Sequence, residues 1–451
     1  MYIFLELSFF FFTVSFSLKT TFLHLLNSKN NFRLQNTPLS LVQPNLSNIL
    51  NNITGFYGLI GPNVERKKTK SIYDLFMGNG MVQGVFIENG SITYIKKDIE
   101  TEKFKIEDRY SRKPILSIPN MLGVANTAFF HFKNKTYALF ERDLPYLIDI
   151  DFDKKKMNTL GKCEIEDIAH FSAHTKITNE YSYIETIDYA LLRKKVNLYQ
   201  LDSYFRIISS MKISMKYTPM VHDFISTPNS IILLNSPFMA DIRLLPTFLA
   251  KIKLDVTKSS IFYVVERKNN HIQRYYVDQG IYIFHYADVY ETEREIEIYA
   301  PVHPSLDFSK LEIKGKYQKI ILNKQTKTVK IERNLELEKW NLEFPVPFYH
   351  ENKKKIIMRY VDETNWLNTG FVICHKLDFE KCIRILDRCI CGEPSVLTID
   401  LDPYALFFTI DKNDNGYFNV LNLVTERNEE FPMYEKMKIG FHSIFLPNTN
   451  K

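Results

Sequence analysis

Of the eleven histidines in this chain of 451 residues, four sit in surroundings where metal chemistry could be done. They are His174 in Phe171-Ser172-Ala173-His174, His222 in Met220-Val221-His222-Asp223-Phe224, His285 in Phe284-His285-Tyr286 and His442 in Gly440-Phe441-His442. Each lies at the end or inside of an apolar, strand-like run. Imidazole is intermediate in softness between thiolate and carboxylate, which suits a first-row divalent ion. Taken singly, a histidine in an apolar strand is more often a satisfied core residue than a ligand. Consecutive members are 48, 63 and 157 residues apart. In a radial fold with blades of roughly 58 residues, these steps are one, one and two to three blades. That spacing is compatible with ligands converging on one axis, and does not by itself require it.

The elements that would position these residues are short strands. From about residue 44 onward, runs such as Val82 to Ile87, Thr127 to Phe132, Tyr137 to Glu141, Ser230 to Leu234, Ile261 to Val265, Ile281 to His285 and Tyr404 to Phe408 are rich in β-branched and aromatic residues. Each is bounded by Asn, Asp, Gly, Lys or Pro, as strands are. Glu88-Asn89-Gly90 and Asp411 to Gly416 read as hairpin turns. The clearest helical stretch is Pro237 to Leu249. No strict repeat is visible, so periodicity alone leaves paired sandwiches and barrels open beside a propeller.

Composition narrows the class. With 45% hydrophobic and 24% charged residues the chain is globular. Its 35 Phe and 26 Tyr suit strands and apolar tunnels. The net charge of +6 is mild, and no basic block is interleaved with aromatics, so no nucleic-acid partner is expected. The five cysteines are an odd number, and Cys389-Ile390-Cys391 lacks the two-residue spacer of a zinc knuckle or redox pair. Unpaired thiols in a reducing compartment are expected. Tyr2 to Leu18 is mostly apolar around Phe9 to Phe12, but it carries Glu6, lacks a basic flank and is short for a membrane span. Three readings stand for residues 1–43: a signal or anchor, a peripheral membrane-contact segment, or a disordered or misassigned start. Residues 44–451 read as one domain.

Eight short motifs, in order from about Gly61 to Pro447, resemble those of the carotenoid cleavage oxygenase family. They are Asn79-Gly80-Met81-Val82-Gln83-Gly84-Val85; Ala125-Asn126-Thr127-Ala128 with Ala138-Leu139-Phe140-Glu141; Ser172-Ala173-His174; His222-Asp223-Phe224; Phe284-His285 with Tyr290-Glu291; Glu343-Phe344-Pro345; Gly392-Glu393-Pro394; and Gly440-Phe441-His442 through Pro447. Any one is weak; eight in family order are strong.

The resemblance implies an all-β fold, a seven-bladed β-propeller with a helical and loop cap over the iron-bearing face. It implies one Fe(2+) per chain, with His174, His222, His285 and His442 at the four ligand positions. It places Glu141, Glu343 and Glu393 behind His222, His285 and His442, where each carboxylate would accept the distal ring N–H and turn the other nitrogen toward the metal. Thr127 falls at a position beside the open iron sites. The implied reaction is oxidative cleavage of a conjugated C=C bond in an apolar polyene, a carotenoid or apocarotenoid, by O2. Within the family the alternatives are a stilbenoid-cleaving oxygenase and a retinyl-ester isomerohydrolase; outside it, a metal-free propeller acting as a binding module. The expected location is cytoplasmic with peripheral membrane contact. Departures from the family pattern are Asn79 in the first motif, Leu59-Ile60 before Gly61-Pro62-Asn63, Thr175 after the first ligand and Asp288 after the third. They bear on turn geometry and substrate fit more than on metal binding.

Overall fold

Every residue of the strand Gly55–Pro62 is buried. Phe56 and Ile60 pack toward Ala138, Tyr146 and Ile148, whereas Tyr57 and Leu59 pack toward Leu406, Phe408 and Phe418. Successive side chains on a strand point to opposite faces. A strand covered on both faces therefore reads as a continuous apolar run. This arrangement recurs around the whole molecule. The computed structural model describes residues 42–43, 49–110, 123–178, 183–189, 193–240, 252–362 and 365–448. Among them, seven antiparallel sheets form a seven-bladed β-propeller.

Blade 1 orders Val42–Gln43, Ser91–Asp98, Gly80–Glu88, Gly55–Pro62 and Ser443–Pro447, so the last strand joins the first blade and closes the ring. Blades 2 to 7 begin respectively at Ala128–Phe132, Lys176–Thr178, Ile225–Ser226, Tyr282–Ile283, Leu342–His350 and Cys389–Ile390. Between each pair of neighbours lies one apolar cluster, such as Ile187, Leu198 and Ile213 against Ile231, Leu233 and Tyr263 for blades 3 and 4. The core is thus a ring of seven interfaces, and no blade has a core of its own.

The turns follow their sequences. Asn89 and Gly90 take φ of 50° and 70° between Gly80–Glu88 and Ser91–Asp98, the paired positive values of a tight hairpin. Asp411 Oδ1 accepts the N–H groups of Asn413 and Asn415, at 2.8 and 3.0 Å, in the turn before Asn415–Asn422.

A cap covers one face. The helix Ile72–Phe76 is held by a reciprocal cap, Ser71 Oγ accepting from Asp74 N and Asp74 Oδ2 from Ser71 N, both at 3.1 Å. Beside it, Phe238–Ala240 pairs with Ile252–Leu254, and Leu254 N and Phe308 N donate to Leu306 O and Ile252 O. The expected helix over Pro237 to Leu249 is corrected here: Phe238–Ala240 is extended because it gains a strand partner and buries Phe238 against Tyr282 and Phe308. Residues 241–249 of that stretch lie outside the described residues, as does the apolar start through residue 41. Among the described residues no helix is long and apolar enough to cross a membrane. The five cysteines are free. Burial pushes the Cys374 thiol up to about 12, which leaves it inert.

Candidate metal centre

The four histidines stand at the ends of the edge strands that open blades 3, 4 and 5 and close blade 1. His174 leads into Lys176–Thr178, His222 precedes Ile225–Ser226, His285 follows Tyr282–Ile283 and His442 precedes Ser443–Pro447. In a propeller these are the strands nearest the axis, so blades 3, 4, 5 and 1 deliver their rings to one place. The third spacing, left between two and three blades by the sequence, is three. The Nε2 atoms of His174 and His222 are 3.0 Å apart, those of His222 and His285 3.2 Å, and those of His285 and His442 3.0 Å. One nitrogen from each ring lies within 4.8 Å of all the others.

The distal nitrogens point to carboxylates. His222 Nδ1 donates to Glu141 Oε1; His285 Nδ1 donates to Glu343 Oε2 at 2.7 Å; His442 Nδ1 lies 3.2 Å from Glu393 Oε1. Glu141 follows the second strand of blade 2, Glu343 lies on the first strand of blade 6, and Glu393 follows the first strand of blade 7. Each of the seven blades therefore supplies one residue of the constellation. Glu343 reaches inward because its strand is irregular: the register slips between Glu343 and Val346, and Phe344 takes a φ of 56°. Phe344 then stacks on His285 with centroids 5.3 Å apart.

The electrostatics follow from burial and neighbours. Burial pulls the His174 ring well below its ordinary pKa, and the other three imidazoles add to this. Burial also pulls His222 down, but the charge and hydrogen bond of Glu141 outweigh it and the net direction is up. For His285 burial wins over Glu343, and the direction is down. Burial would raise the Glu343 carboxyl, yet His285 and His303 together hold it well below the carboxylate range.

This donor set fits a metal ion. With Nδ1–H of His222, His285 and His442 committed to carboxylates, their Nε2 atoms are bare lone pairs facing one another and His174 Nε2, which a shared cation reconciles. Ligands at right angles around one ion, each at an imidazole bond length of about 2.1 Å, stand about 3.0 Å apart, as these do.

Two further side chains organise the site, and neither was singled out from the sequence. Asp223 joins three ligand loops: it accepts from Lys176 Nζ at 2.6 Å, from Phe224 N at 2.7 Å and from Tyr286 N at 3.3 Å. His303 donates Nε2–H to the second oxygen of Glu343. Asp223 was visible as the middle of a motif, whereas His303 carries no signal beyond closing an alternating apolar strand. Thr127 is buried, and its hydroxyl bonds to Asn126 Oδ1 at 3.1 Å. Asn126 in turn donates to Phe76 O and Gly78 O.

Aromatic rings pack beside the centre. Phe76 stacks on His222 and meets Phe284, Phe308 and Phe441 edge-on. The departures from the family pattern are accommodated: Asn79 Oδ1 accepts from Lys103 at 2.7 Å, and Asp288 pairs with Lys354 at 2.6 Å. A polar cavity of about 440 Å³ opens elsewhere, lined by Ser230, Arg267, Gln273, Glu291 and Lys324. Of its lining charges, Arg267 pairs with Glu185 and Lys324 with Glu291.

A β-propeller carrying a four-histidine, three-carboxylate centre on its axis is the class that fold and site define. The model of the family described as retinal pigment epithelial membrane protein matches residues 49–447, and the chain belongs to that family, the carotenoid oxygenases. A carotenoid 9,10(9',10')-cleavage dioxygenase 1 of Phaseolus vulgaris is 26% identical over 285 residues, covering 54% of this chain and 50% of the relative. The protein of the same name from Arabidopsis thaliana is 24% identical over 303 residues, 59% and 55% of the two chains. The chain thus spans about half the length of the curated relatives it matches. Among solved structures, a mutant form of Synechocystis apocarotenoid oxygenase superposes with a TM-score of 0.71 at 15% identity, over 90% of this chain and 95% of the other.

Proposed function

We propose that this protein cleaves a conjugated C=C bond of a carotenoid or apocarotenoid oxidatively, using O2 and one Fe(II) held by His174, His222, His285 and His442. The observation that carries the proposal is the convergence of four Nε2 atoms, three of whose rings have Nδ1 fixed by Glu141, Glu343 and Glu393. When bound, the iron supplies the activation of dioxygen. The protein supplies the rest. The three carboxylates hold the ring tautomers and offset the metal's charge. Phe76, Phe284, Phe308 and Phe441 give the approach an apolar wall that excludes water and accepts a polyene by its faces. Thr127, fixed through Asn126, shapes the space beside the ion and needs no proton-transfer role.

Binding of such a substrate suits a cytoplasmic protein in peripheral contact with a membrane, because polyenes dissolve in bilayers. Met239, Leu311 and Ile313 are exposed apolar side chains on the cap and support contact there. The deciding experiment is anaerobic purification with iron quantitation, followed by product analysis against carotenoids, apocarotenals and stilbenes. About one iron per chain and O2-dependent carbonyl products from a polyene are expected. Absence of iron, or cleavage of stilbenes alone, overturns the proposal.

A further inference from the structure

Glu343 is the one carboxylate of the three held between two imidazoles. Its Oε2 accepts from His285 Nδ1 at 2.7 Å and from Phe344 N at 3.2 Å. Among the described residues, the one partner of its Oε1 is Nε2 of His303. His303 is wholly buried at the end of the strand Glu295–His303. A carboxylate oxygen can only accept, so the proton of this bond sits on His303 Nε2. Nδ1 of the same ring is buried without a hydrogen-bond partner among the described residues. Keeping one polar atom unsatisfied in the core costs free energy, and an apolar residue would avoid that cost. What the imidazole achieves in return is its single bond to Glu343.

The packing makes that bond directional. Phe284, the neighbour of His285, meets the His303 ring edge-on with centroids 5.1 Å apart. On another side the backbone of Gly315 comes so close that a Cβ there would lie 3.2 Å from His303 Cε1 and 2.2 Å from Leu342 O. The ring is therefore clamped between Phe284, beside the third ligand, and Gly315, whose backbone packs in turn on Leu342, the residue before Glu343. Glu393 is held differently, its second oxygen accepting from Ser443 N at 3.0 Å. Backbone performs there what a side chain performs at Glu343.

We infer that His303 is a positioning residue: it fixes Glu343 so that Oε2 faces His285 Nδ1, and through that carboxylate it sets the orientation of the His285 ring toward the metal. This inference rests on the reading of the four histidines as a metal site. Removing His303 leaves a buried carboxylate oxygen without a donor and frees Glu343 to turn.

The test uses Co(II) as a spectroscopic probe in the full chain, with affinity measured by chelator competition and coordination read from the visible absorption band. His303→Leu should weaken Co(II) binding by about 10-fold or more, the usual effect of losing an outer hydrogen bond to a metal ligand, and should shift the band. His303→Gln, whose amide N–H can still donate to Glu343, should recover most of the affinity, and it also serves if His303→Leu fails to fold. In a Glu343→Gln background the same His303 substitutions should have little further effect. Wild-type-like affinity and band in His303→Gln and His303→Leu overturn the inference, as does an undiminished loss in the Glu343→Gln background. A wild-type chain that binds no Co(II) while His303→Leu melts normally overturns the metal reading itself, and the inference with it.

Discussion

Leu59 and Ser443 face each other across the antiparallel pair that joins Gly55–Pro62 to Ser443–Pro447. Ser443 also donates its backbone N–H to Glu393, and the residue before it is His442. Closure of the ring and placement of the fourth histidine are therefore one structural event. Removing residues 443–451 should abolish both, leaving Gly55–Pro62 as an open, apolar edge prone to aggregate. Thermal unfolding followed by circular dichroism, with metal analysis, would check this. A truncated chain that melts like the full one and keeps its metal would refute the coupling.

His222→Ala and His285→Ala should behave in the opposite way. The blades are held by strand pairing and the seven apolar interfaces, none of which needs these rings. Metal affinity should fall by more than the roughly 10- to 100-fold expected for outer partners, while unfolding stays cooperative at a lower midpoint, because Glu141 or Glu343 loses its imidazole partner. Full metal occupancy in both variants would reject the ligand assignment.

Much of this centre was legible in the sequence because its residues sit in short motifs that can be read one by one. All four histidines and all three glutamates come together where the motifs place them. The blade number was not legible from periodicity. Each blade buries both faces against different neighbours, so Tyr57 and Phe56 answer to different partners and no repeat is enforced. His303 was hidden for a related reason. Its role depends on a carboxylate forty residues away across a blade boundary, and nothing local records that. The helix expected over Pro237 to Leu249 is overturned at Phe238–Ala240, its described part, where pairing with Ile252–Leu254 overrode local pattern.

The three glutamates should prove softer than the histidines. Glu343→Gln should lower metal affinity or turnover by roughly 10- to 100-fold, because a carboxamide binds the His285 N–H less strongly than an anion does. Glu141→Gln and Glu393→Gln should lose in the same direction. Acid sensitivity gives a second check in metal-free protein. The Glu343 carboxyl is depressed in the folded state, so its contribution to stability is complete above its unfolded value of about 4.3 and is lost as pH falls below that. Glu343→Gln should flatten the acid limb of the melting profile. Variants matching wild type in metal binding, turnover and acid stability would remove the carboxylates from the mechanism.

Membrane contact is expected to survive loss of the N-terminal segment. If the apolar side chains on the cap make the contact, deleting residues 1–35 should leave part of the liposome binding in a flotation assay. A truncated protein found wholly in the unbound fraction would make the N-terminal segment the sole anchor.

Thr127 bears on whether the reaction is an oxygenation or an isomerohydrolysis. The side chain is buried, and its hydroxyl is tied to Asn126, which is itself tied to the carbonyls of Phe76 and Gly78. The same short helix thus carries Phe76 onto His222 and anchors the loop that holds Thr127. If Thr127 shapes the space beside the ion, as proposed, its neutral side chain brings no acid or base for hydrolysis of an ester. Turnover should therefore require O2, and isotope from labelled O2 should appear in the aldehyde or ketone products. Carbonyl exchange with water has to be trapped quickly, by reduction or oxime formation, because it erases the label. Thr127→Val keeps the shape and removes the Asn126 bond, so it should retain oxygen dependence while lowering turnover by about 10-fold or less, the loss expected for about 1 kcal/mol of a neutral hydrogen bond. Equal conversion without oxygen, with an alcohol in place of a carbonyl product, would establish the isomerohydrolase reaction instead.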